Sequence, residues 1–240
     1  MVWSKTRRSS RSPRPVSRDE YQSADDVVGG TVTSIETQRR AGSERFNVFV
    51  DGAFAFSLAA ELALNFREGD TLDVTAVRQA LARDQGQRAY EQALRFLAPR
   101  PRSVAEVRLR LKRHGHDMVA VDATIQRLAD HQFVDDDEFA AFWVGQRQTH
   151  HPLGPRALRS ELRSKGVDVE TTDRAIEPAV ADQEASAYRA AEKKARGLSL
   201  ADERTFGQVL TGYLLRRGFD YDAVRSSVRR LWIESRESES

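Results

Sequence analysis

Four groups of residues in this chain have types and spacings that could do chemistry. The first is a run of carboxylates, Asp135, Asp136, Asp137 and Glu138. Gathered carboxylates suggest a metal, but these open a helical pattern, where capping and the helix dipole account for them. The second is histidine, as His114-x-His116 and His150-His151. Adjacent imidazoles rarely point at one ion, and no cysteine or carboxylate completes a set at ligand spacing. These histidines fall at loop and helix ends and are expected to face solvent. The third is the aromatic set Phe139, Phe142 and Trp143. Such a set could stack on bases, yet its helical spacing assigns it to a core, and the same argument places Trp232.

The fourth group is cationic. Arg100, Arg102, Arg108, Arg110, Lys112 and Arg113 are interrupted by one acid, Glu106. On a helix from Val104 to Arg113, Val104, Val107 and Leu111 face inward. Arg108 and Lys112 then share one flank, and Arg110 and Arg113 the other. Arg156, Arg159, Arg163 and Lys165 repeat the theme, and Arg216 and Arg217, with Arg225, Arg229 and Arg230, continue it. These residues read either as a contact surface for an acidic protein face or nucleic-acid phosphates, or as solvated helix sides. Acids such as Glu161 and Asp173 interleave. No P-loop, dinucleotide glycine fingerprint or nucleophile elbow is present, so no enzymatic activity, cofactor or metal is expected.

The elements that position these residues follow from composition and periodicity. The chain has 240 residues, 40% hydrophobic and 31% charged. That is enough apolar material for a core and suits thin helical units with much surface. With no cysteine, there is no disulfide framework and no thiolate zinc site. No apolar run approaches a membrane span, and the N-terminus lacks the apolar stretch of a secretory signal. A cytoplasmic protein is expected. The net charge of +2 hides an asymmetry: residues 1–18 carry six Lys/Arg and no acid, leaving the remainder at −4. Residues 1–28, rich in Arg, Ser and Pro, read as a disordered basic arm, either solvated or a loose anchor on phosphates or an acidic face.

Residues 29–80 read as a small β-containing domain. Thr31 to Gln38 is β-rich, and Arg39 to Glu44 is a polar loop. Asp51-Gly52 then separates Phe46–Val50 from Ala53–Phe56, the pattern of a type I′ hairpin. That turn pairs Val50 with Ala53 and Phe49 with Phe54. It puts Phe49, Phe54 and Phe56 on one face, and Val48, Val50, Ala53 and Ala55 on the other. Leu58 to Phe66 reads as a short helix and Asp70 to Asp73 as extended chain.

From residue 81 the periodicity is helical, and the chain repeats. Val107–Asp117, Leu158–Asp168 and Leu210–Asp220 are similar strings spaced by 51 and 52 residues. Each carries apolar residues four apart (Val107 and Leu111, Leu158 and Leu162, Leu210 and Leu214), then Gly-x-Asp. Glycine at C′ closes a helix in the left-handed conformation. Basic residues before it suit the dipole, and the aspartate caps the next helix. That next helix repeats as Val121, Ile125 and Leu128; Thr172, Ile176 and Ala179; Val224, Val228 and Leu231. Upstream helices carry Tyr90, Ala93, Leu94 and Leu97; then Phe139, Phe142 and Trp143; then, more weakly, Tyr188, Ala191 and Ala195. The expected fold is mainly α. It is an elongated row of three tandem three-helix repeats, residues 81–134, 135–181 and 182–240, each completing the core of its neighbour.

Three such units behind a small β-containing segment resemble the RecX family. The strings that carry the resemblance are Phe133-Val134-Asp135-Asp136-Asp137-Glu138-Phe139-Ala140 and the Gly-x-Asp joints. The hairpin Arg45–Gly52 is similar to the N-terminal extension of longer members. Order and spacing over about residues 29–235 make the resemblance specific; the basic arm and the weakly apolar third upstream helix depart from it. The resemblance implies a monomeric regulator in recombination, DNA repair and the SOS response. As implied, it binds the RecA–DNA filament and inhibits RecA ATPase and strand exchange, with weak single- or double-stranded DNA contact. A second reading is a direct DNA-binding protein, since two helices joined at a Gly turn resemble a helix-turn-helix; the −4 charge of residues 19–240 speaks against it. A generic helical scaffold is a third.

Overall fold

The computed structural model describes residues 29–38, 45–198 and 202–237. The arm expected over 1–28 and the loop expected over 39–44 lie outside the described residues. The chain divides into two compact units between Asp84 and Gln85.

In the first unit, β1 (Val32–Thr37), β2 (Arg45–Val50) and β3 (Ala53–Ala59) form an antiparallel sheet in that order. Asp51 and Gly52 take φ of 50° and 83°, as a type I′ turn requires. Val50 pairs with Ala53 and Phe49 with Phe54, as expected, but the register shifts at the next residue and Val48 pairs with Phe56. This bulge at Ala55 corrects the expected faces. Phe56 joins Val48, Val50 and Leu58 in the core, while Phe49 and Phe54 meet edge-on at 6.0 Å on the other side. The extra residue flips the alternation, which a strict period of two cannot foresee. A second correction concerns Leu58–Phe66. The strand runs through Ala59 and the helix α1 is only Ala60–Ala63, because Leu58 is fully buried in the sheet core. The helix α2 (Val74–Leu97) contributes Val77 and Ala80 to that core. Its Asp84 carboxylate accepts from both terminal guanidinium nitrogens of Arg45, at 3.0 and 2.8 Å, and from the Ala59 N–H at 2.9 Å.

The second unit holds the repeats. The first comprises the second half of α2, α3 (Val104–Arg113) and α4 (Met118–Asp130). The second is α5 (Asp136–His150), α6 (Pro155–Ser164) and α7 (Val169–Ala181). The third is α8 (Gln183–Ala195), α9 (Glu203–Arg216) and α10 (Tyr221–Glu237). Each has its own cluster of buried residues, including Val107, Leu111, Val121 and Leu128; Leu158, Leu162 and Ile176; and Leu210, Leu214, Val224 and Leu231. Burial of each such side chain contributes ~1.5–3 kcal/mol. Phe139 is buried and Trp143 half-buried, but Phe142 is exposed, a correction to its expected core place. The buried stripe of α5 runs instead through Phe139, Ala140 and Val144, and Phe142 lies off it. Trp232 packs at the edge of the third core, its ring 5.2 Å from Phe206.

The three joints close alike. Gly115, Gly166 and Gly218 have φ of 81°, 77° and 82°. In each, the glycine N–H reaches back three residues (to Lys112, Arg163 and Leu215). The following N–H, of His116, Val167 and Phe219, reaches Leu111, Leu162 and Leu214. This is the Schellman closure. Asp117 then accepts from Ala120 N at 2.7 Å and Asp168 from Thr171 N at 2.9 Å. In the third joint, Asp220 Oδ2 accepts from Gln183 Nε2 of α8 at 3.0 Å.

Candidate functional site

The second and third joints fasten one repeat to the one before it, and the fastening holds two of the candidate cations, Lys165 and Arg217. The second joint sits on the start of α3. The Ser103 hydroxyl donates to the Lys165 carbonyl at 2.6 Å, and Lys165 Nζ donates to Glu106 at 2.8 Å. A Cβ placed on Gly166 would overlap the Cβ of Ala105. The third joint sits on the start of α6 in the same manner. Gly154 N–H donates to the Arg217 carbonyl at 2.9 Å and Arg156 N–H to the Gly218 carbonyl at 3.3 Å. There, a Cβ on Gly218 would overlap the backbone of Ala157. Lys165 and Arg217 occupy equivalent C-cap positions, and Ser103 and Gly154 equivalent N-caps. Around Gly115 nothing lies within 4 Å of such a Cβ. The helix start in the third repeat differs: α9 is capped by Asp202, four residues before Phe206, the counterpart of Ser103 and Gly154.

Several of the expected contact cations have partners within the chain. Arg108 pairs with Asp122, and its counterpart Arg159 with Asp173 at 3.0 Å. Lys165 binds Glu106 and lies 4.8 Å from the centre of the Trp143 ring. Arg217 donates to the Pro152 carbonyl at 3.1 Å and covers Tyr213. Arg100 reaches Glu106 at 3.5 Å, and Arg102 stacks on Phe96 at 4.2 Å. Further along, Arg230 binds Glu234 at 2.8 Å. By contrast, Lys112, Arg113, Arg156, Arg163 and Arg216 are exposed, and among the described residues no carboxylate pairs with them. Arg110 is also exposed, with its guanidinium 5.5 Å from the Phe96 ring centre.

The carboxylate and histidine groups resolve locally. Asp135 accepts the Asp137 and Glu138 N–H groups as the cap of α5. Asp136 accepts Val104 N–H of the first repeat at 2.9 Å. Burial raises the Asp136 pKa; the Val104 N–H opposes this, and Asp168, Asp135 and Asp137 add to it. His114, His150 and His151 are exposed, but His116 is half-buried, its Nε2 2.7 Å from Gln92 Oε1. That corrects its expected exposure: at C″ of the Schellman closure its backbone N–H returns to Leu111, and its ring meets Gln92 of α2. Burial pushes the His116 pKa down, with Arg88 and His114 adding to it against Asp117.

Two participants were not singled out from sequence. Glu106 is more than an interruption: it closes a capping box with Ser103 and ties two repeats. The Ser-x-x-Glu spacing carries that signal. Phe96, lying among the arginines, is the aromatic on which two of them stack.

Three family models match in order along the chain. They are described as the RecX regulatory protein N-terminal domain, over residues 30–73, and the first and second RecX three-helix domains, over 89–128 and 135–176. The chain belongs to the RecX family. It is 32% identical over 215 residues to the regulatory protein RecX of Bacillus subtilis (strain 168), covering 86% of this chain and 79% of that one. It is also 32% identical over 211 residues to the RecX of Levilactobacillus brevis, covering 87% and 79%. A crystal structure of regulatory protein RecX superposes with a TM-score of 0.60 at 27% identity, over 86% of this chain and 100% of that one. The RecX matches make this chain a regulatory protein of mostly helical repeat architecture. No helix among its described residues is long and apolar enough to cross a membrane.

Proposed function

We propose that this RecX-family chain is a non-enzymatic regulator of RecA that binds the RecA–DNA filament and dampens its ATPase and strand exchange. The observation that carries the reading is the division among the cations of equivalent helices. Arg108 and Arg159 are neutralised within their own repeats, while Lys112, Arg113, Arg156, Arg163 and Arg216 remain exposed and without a carboxylate among the described residues. Unpaired cations on successive repeats suit a long partner of negative potential. The −4 charge of residues 19–240 favours a partner that includes protein over naked duplex DNA.

The test is RecA ATPase activity on single-stranded DNA with added wild type or the combined Lys112→Ser, Arg113→Ser, Arg163→Ser variant. Wild type is expected to suppress hydrolysis. The variant, with unchanged helicity, should need about tenfold more protein, since three exposed charge contacts at ~0.5 kcal/mol each amount to that factor. Full potency in the variant removes these cations from the contact. No suppression by wild type overturns the reading.

A further inference from the structure

Phe96 gathers two guanidinium groups with which no carboxylate among the described residues forms an ion pair. Half-buried on the last turn of α2, it carries the Arg102 guanidinium at 4.2 Å and that of Arg110 at 5.5 Å from its ring centre. Beside them, Glu106 is the carboxylate for Arg100 at 3.5 Å and Lys165 at 2.8 Å, and its other oxygen takes the Ser103 N–H at 3.4 Å. Three of its roughly four acceptor sites are thus taken. Among the described residues Arg102 makes no hydrogen bond, and its Nε is shielded from solvent. A guanidinium keeps its charge in a protein, so leaving its donors unmatched is costly. Burial pushes the Arg102 pKa down, Arg100 and Arg110 add to this, and Glu106 opposes it.

We propose that Arg102 and Arg110, gathered on Phe96 with Arg100 beside them, form a binding site for a phosphodiester of single-stranded DNA. The chemistry favours phosphate over a protein carboxylate. One carboxylate, Glu106, is already in place and leaves the group cationic. Guanidinium groups match phosphate oxygens in a fork, and planes held on an aromatic ring are available to stack on unpaired bases. The site rests on the RecA–filament reading only in that the filament brings such DNA to the chain.

The experiment is fluorescence anisotropy of a labelled oligo-dT strand with the full chain, without RecA, across a salt series. Wild type is compared with Arg102→Gln/Arg110→Gln and with Arg110→Gln alone, whose exposed side chain makes a folding defect avoidable. Each lost phosphate contact should lower the log–log salt slope by about 0.7 on a single strand. The double variant should lose about 1.4 and bind about tenfold more weakly at low salt, and Arg110→Gln about half that slope. Unchanged slope and affinity in both variants, or no wild-type binding at low salt, overturns the site. So does loss of RecA inhibition by the variants with oligo-dT binding intact, which assigns the cluster to protein carboxylates. Lack of RecA inhibition by wild type, with the salt slopes as expected, overturns the filament reading and supports the phosphate site.

Discussion

The Ser103 hydroxyl donates to the Lys165 carbonyl oxygen across 2.6 Å while accepting the Glu106 N–H at 3.1 Å. One buried oxygen therefore completes the start of α3 and the end of α6. Replacing Ser103 with Ala removes a helix cap, ~1 kcal/mol, and leaves a carbonyl at the repeat interface without this donor, about 1–3 kcal/mol. The expected loss is about 2–4 kcal/mol, read as a lower urea midpoint at unchanged m value. A loss of only the capping contribution would show that the bond between repeats contributes nothing.

The three joint glycines make a graded series. Gly115→Ala meets only the left-handed backbone cost, ~1–2 kcal/mol, since nothing crowds it. Gly166→Ala adds the overlap with Ala105, and Gly218→Ala an overlap with the backbone of Ala157, which yields less readily than a side chain. Overpacking of this kind adds about 1–3 kcal/mol. Urea unfolding should rank the losses as Gly115 below Gly166 below Gly218. Equal losses at all three positions would refute the seating of the second and third joints on the preceding repeat.

Glu106 makes part of the stability pH-dependent. Burial raises its pKa, but the Lys165 hydrogen bond and charge, with Arg100 and the Ser103 N–H, outweigh this and hold it below the ordinary glutamate value of 4.5. A carboxyl whose folded pKa is depressed contributes stability above its unfolded pKa and loses it as pH falls through the folded one. Unfolding midpoints measured from pH 6 downward should fall more steeply below about pH 4.5 in wild type than in Glu106→Gln. Parallel curves would remove the Glu106–Lys165 contact from the stability of the interface.

The joints were legible because Gly-x-Asp spells a helix stop and a helix start in local chemistry alone, and the buried stripes because helical periodicity survives in Val121, Thr172 and Val224. The charges were legible as residues but not as a site. Nothing local says that Arg108 finds Asp122, although the same fourteen-residue offset recurs from Arg159 to Asp173 across the second joint. For Lys165 and Arg217 the partner depends on how one repeat seats on the next, a contact some sixty residues apart in Ser103 and Lys165. The bulge at Ala55 escaped for the opposite reason. It is local, but its sequence on either side alternates as an unbroken strand would.

The early start of α9 has a consequence for counting. In the first two repeats a joint glycine from the next repeat lands on a fresh helix end, at Ser103 or Gly154, where small residues and unspent backbone groups await it. In the third, the corresponding place is Phe206, a full turn inside a helix and buried in its own core. A fourth glycine turn, from this chain or from another copy, finds there neither an open N–H nor room for its backbone. The last repeat is in this sense a finial: it shares the fold of its neighbours but lacks the socket that would let the series grow.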